Sequence, residues 1–362
     1  MASGAGVAFV LAAVYFLKLV YDFGWLTPER QVGLALLGGV GLIVGGLGLA
    51  NQDRAYAAYL PAFGIVIVYL TIYAADLYYA MIGPGMVVAG VGATTLAAIW
   101  LQRHFGSGIY ALFAVIGTYM FPLLLPSRSA AAIDLIVYFA AWGLLFSWLA
   151  LQAGERTVYV LALWFSLLGF DIAWRLSAAS DAWVQAASYQ FFQFLLFAIT
   201  AAIFSMRHRT PLSRLDAFTH GAALFVFYGL EYALLKEHAA AVAPFAALGS
   251  VLVVVLLLVW ARAKMGDAGR GGAGALVVST YAAVVTTHVL LIELLPERYF
   301  AWGVLLLPIL AMALKPLAQV QPETLTPLRL VGGVLFAVGL MQLAVANGSQ
   351  ADIAFPVGAL FV

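Results

Sequence analysis

The chain contains almost no polar stretch long enough to carry it out of a lipid bilayer. An α-helix needs about 20 residues to cross a hydrocarbon core roughly 30 Å thick, and a window of that length meets one apolar segment after another. The segments fall at approximately 5–25, 31–50, 56–80, 84–102, 108–125, 130–151, 157–178, 183–206, 216–236, 240–261, 274–295, 299–315 and 326–346. That makes thirteen spans, and 353–362 adds an apolar stretch too short to cross unaided, readable as a half-helix, an interfacial segment or the start of a fourteenth. With 65% hydrophobic and 9% charged residues, the chain could not cover the surface of a water-soluble fold. The expected fold class is an all-α integral membrane protein of 13–14 transmembrane helices with short loops and no soluble domain. Its longest polar interruptions, 207–216 and 262–274, are too short to hold a core of their own.

The odd-numbered spans recur every 50 to 60 residues, so the single polytopic domain over 1–362 divides into serial helical hairpins. The hairpin units are 1–53, 54–106, 107–156, 157–213, 214–272, 273–324 and 325–362. YDFGWLTPERQVGLALL at 21–37 aligns with LIELLPERYFAWGVLLL at 291–307, each with an acidic residue, a Pro-Glu-Arg turn and a Leu-rich helix. Such text arises by duplication, or because any tight helix hairpin uses proline and charge at its turn. The first segment carries Lys18 and Asp22 and no basic stretch ahead of it, so it reads as a retained helix and not as a signal peptide.

Loops after even spans hold eleven basic residues: Arg54, Arg103, Arg156, Arg207, Arg209, Arg214, Arg262, Lys264, Arg270, Lys315 and Arg329. Loops after odd spans hold five, namely Arg30, Arg128, Arg175, Lys236 and Arg298. Because cytoplasmic loops retain Lys and Arg, the even loops and the N-terminus are expected on the cytoplasmic side. Acidic residues lie the other way, eleven near the outer side and five near the inner. Acidic residues contribute little to topology, so this bias needs a cause of its own.

Several outer charges sit inside apolar text: Lys18 and Asp22 in YFLKLVYDFGW, Asp76 in LTIYAADLYYAM, Asp171 and Arg175 in SLLGFDIAWRL, Glu231 in VFYGLEYALL, and His288 and Glu293 in THVLLIELL. A charge at bilayer depth costs at least about 2.5–3.5 kcal/mol on insertion scales, so it faces a protein interior or a wet cavity and finds a partner. Lys18 with Asp22 and Asp171 with Arg175 are spaced i,i+4, which puts each pair on one helix face. Two readings are open. The pairs fasten helices or snorkel at headgroup level, or the odd-helix ends line an outward-facing cavity whose carboxylates, Arg175 and His288 bind a polar or cationic group or relay protons. Tyr73, Tyr78, Tyr79, Trp174, Trp183, Tyr228 and Tyr232 lie near the same ends, as an interfacial aromatic belt would.

Other signals are weaker. Gly41 and Gly45 have the small-xxx-small spacing that lets helices approach closely. Gly269, Gly271 and Gly274 match G-x-G-x-x-G by chance, since no strand precedes them, and Asn347-Gly-Ser is a glycosylation sequon by pattern alone. There are no cysteines, and neither HExxH nor GxSxG occurs, so the reading favours a non-enzyme with no metal and no cofactor. A net charge of +1 gives no footprint for nucleic acid. The expected partners are membrane lipids and other membrane proteins.

FLKLVYDFGWLTPERQVGLALLGGVGLIVGG, then YLPAFGIVIVYLTIYAADLYY and GTYMFPLLLPS, resemble the bacterial membrane-protein family known as domain of unknown function 2339 over about residues 5–125. Lys18, Asp22, Tyr69, Tyr73 and Pro122 stand at positions matching its motifs. The chain is shorter than typical members, and Gly-Thr-Tyr-Met-Phe-Pro at 117–122 replaces a more glycine-rich form. The resemblance implies a multi-pass protein of the bacterial cytoplasmic (inner) membrane and supplies no activity. From the residues, the leading reading is a carrier or flippase-like transporter of a polar or lipid-linked envelope substrate. A non-catalytic scaffold or subunit of a larger membrane complex is the alternative, and an outer-face transferase is disfavoured by the short loops.

Overall fold

A computed structural model describes residues 27–52, 54–124, 132–177, 181–266 and 272–294. The expected spans at 5–25, 299–315 and 326–346 lie outside the described residues, as do Lys18, Asp22 and the sequon. Ten α-helices are described: α1 (Pro28–Leu49), α2 (Arg54–Leu77), α3 (Pro84–Phe105), α4 (Ile109–Leu124), α5 (Ala132–Ala153), α6 (Arg156–Leu176), α7 (Trp183–His208), α8 (Arg214–His238), α9 (Ala243–Met265) and α10 (Gly272–His288). A π-helical turn, Val289–Leu294, continues α10. Eight of the ten are long and apolar enough to cross a membrane; α4 and α10 are the shorter two. The chain is a multi-pass, all-α membrane protein.

Local chemistry sets the helix ends. Prolines open α1, α3 and α9, where the missing N–H is one that no helix would use. Gly106 closes α3 at φ +69°, its N–H returning to Gln102 O. Ser213 and Asp216 form a reciprocal capping box at the start of α8. Large apolar side chains stand outward on helix after helix, among them Leu37, Trp100, Leu144, Leu168, Leu252 and Val259. In water such a surface would aggregate, whereas lipid solvates it.

The chain falls into two compact units, residues 1–129 and 130–362. In the first, α1 lies along α2, and α3 packs on α2 and α4. The α1–α2 seam is a backbone contact. A Cβ on Gly64 would stand 2.5 Å from Gly39 O, and one on Gly46 would enter the Pro61 ring and lie 2.8 Å from Ala57 O. Pro61 has no N–H to offer the Ala57 carbonyl, so the freed oxygen sits at this glycine. Gly41 and Gly45, the pair expected to make the approach, meet no described atom within 4 Å; Gly39, Gly46 and Gly64 make it instead.

In the second unit α5 packs on α6 and α7, while α8, α9 and α10 pack on one another and, through α8 and α9, on α7. Phe194 and Phe227 stack at 4.5 Å within a core that includes Leu167, Val254, Tyr281 and Val285. Helices adjacent in sequence pack both within the expected hairpin units, as α2 with α3, and across their limits, as α1 with α2 and α3 with α4.

Candidate functional site

Polar side chains inside these apolar helices gather in separate clusters. In the first unit the Tyr69 hydroxyl meets Thr95 Oγ1 at 2.7 Å, and Thr95 meets Thr118 Oγ1 at 2.8 Å. Tyr73 donates to the Gly117 carbonyl. All four side chains are buried, as is Asp76, which is fully enclosed near the end of α2. Tyr73 therefore does not belong to an interfacial belt. A Cβ on Gly117 would lie 2.5 Å from the Tyr69 ring, so the α2–α4 crossing depends on its absence. These hydroxyls tie α2, α3 and α4 together without any charge.

In the second unit Asp171 and Arg175 pair within α6, Nε donating to Oδ2 at 2.9 Å. Gln190 of α7, fully buried, reaches Asp171 Oδ1 from Nε2 at 3.3 Å. Ser166 donates to Gln193 Oε1 at 2.9 Å and meets the Tyr189 hydroxyl at 3.0 Å. Asp171 is thus balanced by a guanidinium and an amide, and Trp174 beside it is buried away from any belt.

A third group of polar side chains lies along α8, part of it facing α9 and part facing α10. Glu231 is 8% exposed, and its Oε2 has no hydrogen-bond partner. It borders a pocket of about 10 Å³, close to the volume needed for one water molecule, shared with Tyr228, Tyr232 and Ser250. Tyr228, three residues before Glu231 on the same helix face, meets His288 Nδ1 at 2.6 Å through its hydroxyl. The Tyr232 ring stands edge-on to His288 at 5.1 Å. One turn further, Lys236 pairs with Glu293, which is carried on the π-helical turn. π-helical turns recur at functional sites because they re-aim side chains that a regular helix would point elsewhere.

The opposite end of this unit is basic. Arg156 meets Asp216 Oδ2 at 2.5 Å and donates to Thr210 O at 2.8 Å, with its guanidinium 5.0 Å from the Phe204 ring. Arg207 donates to Gln152, and His208 meets Leu151 O at 3.2 Å. The α5–α6 and α7–α8 turns are fastened there. Running inward from this end is a cavity of about 160 Å³ among α6, α7, α8, α9 and α10. Its wall is apolar, with Leu163, Phe197, Leu224, Leu257 and Val278, apart from Gln193, Ser205, His220 and Arg262. None of Asp171, Arg175, Glu231, His288 and Glu293 lines this cavity.

The family described as "Predicted membrane protein (DUF2339)" matches residues 1–351. The chain belongs to this family. No curated protein and no solved structure matches it. The match extends past the 5–125 stretch on which the resemblance rested and takes in all three polar clusters of this family member.

Of the residues singled out in the sequence, Lys18 and Asp22 lie outside the described residues, and Asp76 belongs to the first unit. Asp171 and Arg175 meet each other; His288 and Glu293 meet Tyr228 and Lys236 at the α8–α10 contact, while Glu231 borders a small pocket among α7, α8 and α9. Sequence reading missed Tyr228, Ser166, Gln190 and Gln193 as members of polar clusters, being uncharged residues in apolar text. It also passed over the Arg156–Asp216 ion pair. Among the described residues, no three His, Asp or Glu side chains lie close enough to hold a metal ion.

Proposed function

We propose that the protein is a membrane carrier, flippase-like in moving a polar or lipid-linked substrate of the cell envelope, with its polar site along α8 where that helix faces α9 and α10. The observation that supports this best is Glu231, a carboxylate inside a membrane span with one oxygen lacking a hydrogen bond. An ionisable residue kept at such cost is a reason to look for a proton, a cation or a substrate amine. Tyr228, His288, Lys236 and Glu293 add a hydroxyl, an imidazole and an ion pair that a moving proton or a polar headgroup could engage. The basic end of the second unit faces the cytoplasm of a bacterial inner membrane, and the Glu231 end faces outward.

The locally satisfied Asp171–Arg175 pair favours a second reading, a scaffold in a larger membrane complex, because such a pair can fix packing without binding anything. Reconstitution separates the two. Liposomes containing the protein should translocate fluorescent lipid or take up a polar envelope precursor. Glu231→Gln should lower that rate at least about tenfold, as loss of a relay group does. An inert wild type that copurifies stoichiometrically with a membrane partner would support the scaffold; a Glu231→Gln rate equal to wild type would remove Glu231 from the site.

A further inference from the structure

We propose that the cavity in the second unit holds the headgroup-proximal segment of one acyl chain of an anionic membrane phospholipid, with the phosphate against Arg262. Its shape favours a chain. Lining residues on α7 run from Gln193 to Ser205 and on α9 from Val254 to Met265. At 1.5 Å per residue these stretches extend about 18 Å and about 16 Å, so the space lies parallel to the helices and reaches from the basic end into the bilayer interior. Its composition agrees. A dry apolar cavity of about 150 Å³ in a soluble protein takes up benzene, and a wall of leucine, valine and phenylalanine makes the same demand here.

Charge decides which amphiphile. Arg262 is solvent-exposed and lines the cavity at its basic end, Lys264 comes two residues later, and no carboxylate lines the wall. Asp216, the nearest acid by sequence to the wall residue His220, is engaged by Arg156 and Ser213. A phosphate placed there meets a guanidinium suited to two parallel hydrogen bonds, while the chain enters between α7 and α9. The site is independent of the carrier reading. His220 and Glu231 are eleven residues apart on α8, about 16 Å along its axis.

Native mass spectrometry of the full chain, extracted in mild detergent, tests this. One phospholipid adduct per chain is expected, enriched in anionic species. Arg262→Gln, an exposed change that leaves the fold intact, should reduce retention about fivefold. Ala201→Phe, which fills the cavity from α7, should abolish the adduct without lowering the melting temperature, and Glu231→Gln should leave it unchanged. A wild type without adduct, as when a segment of the chain itself occupies the space, overturns the proposal. So does an adduct that both substitutions leave intact, or one as rich in zwitterionic as in anionic lipid.

Discussion

Single hydroxyls and single hydrogens have unequal weight in this molecule. Tyr73 donates to the Gly117 carbonyl, yet interhelical hydrogen bonds in a bilayer average only about 0.6 kcal/mol, because the unpacked helices find partners too. Tyr73→Phe should therefore lower the melting midpoint in detergent slightly. Gly117→Ala places a methyl against the Tyr69 ring and should cost about 1–3 kcal/mol, seen as a much larger loss of thermal stability with the α2–α4 hydroxyl cluster disturbed. Equal effects of the two substitutions would show that the crossing is looser than its geometry. At this scale the charges were legible in the sequence, and their partners only where they lie one turn away on the same helix. Asp171 with Arg175 was evident from i,i+4 spacing, whereas Tyr228 and His288 lie 60 residues apart and meet only because α8 and α10 pack. Gln190 and Gln193 carry no charge to mark them.

Between helices, the two faces of α1 make opposite predictions. Gly46→Ala drives a methyl into Pro61 and should destabilise by about 1–3 kcal/mol. Gly45→Ala meets no described atom and should leave the melting temperature unchanged or raise it, since alanine is the better helix former. A reversed ranking would place the seam on the other face. Span limits were easy to read, because lipid demands a continuous apolar run and each described helix sits within a few residues of its expected position. The packing face was not. In a soluble helix the polar side points away from the core, but α1 is apolar all round, so Gly39 and Gly46 cannot be told from Gly41 and Gly45 by hydropathy. Only complementarity with Pro61 and Gly64 distinguishes them.

Across the whole molecule, the uneven distribution of basic residues predicts an orientation that the absence of cysteine makes simple to measure. A cysteine introduced at Glu155, in the α5–α6 turn, should react with a membrane-impermeant maleimide only after the membrane is opened. One at Ala240, between α8 and α9, should react in intact cells. The opposite pattern would invert the protein and place the Arg262 end of the cavity outside. Exposed leucines, valines and tryptophans in both units mean that lipid, and not water, is the medium for every other substitution here.

The π-helical turn after His288 has a consequence for angular phase. An i→i+5 turn accommodates one residue more than the α-helix around it, so Glu293, late in the turn, is offset by about 100° from the direction uninterrupted α geometry would give. Lys236 and Glu293 meet with that offset in place. Loss of a single residue from 289–292 would remove that extra residue, so the helix would close as a regular α-helix with Glu293 still facing α8 and the Lys236 pair kept, whereas regular α geometry at unchanged length would turn Glu293 about 100° away from its partner.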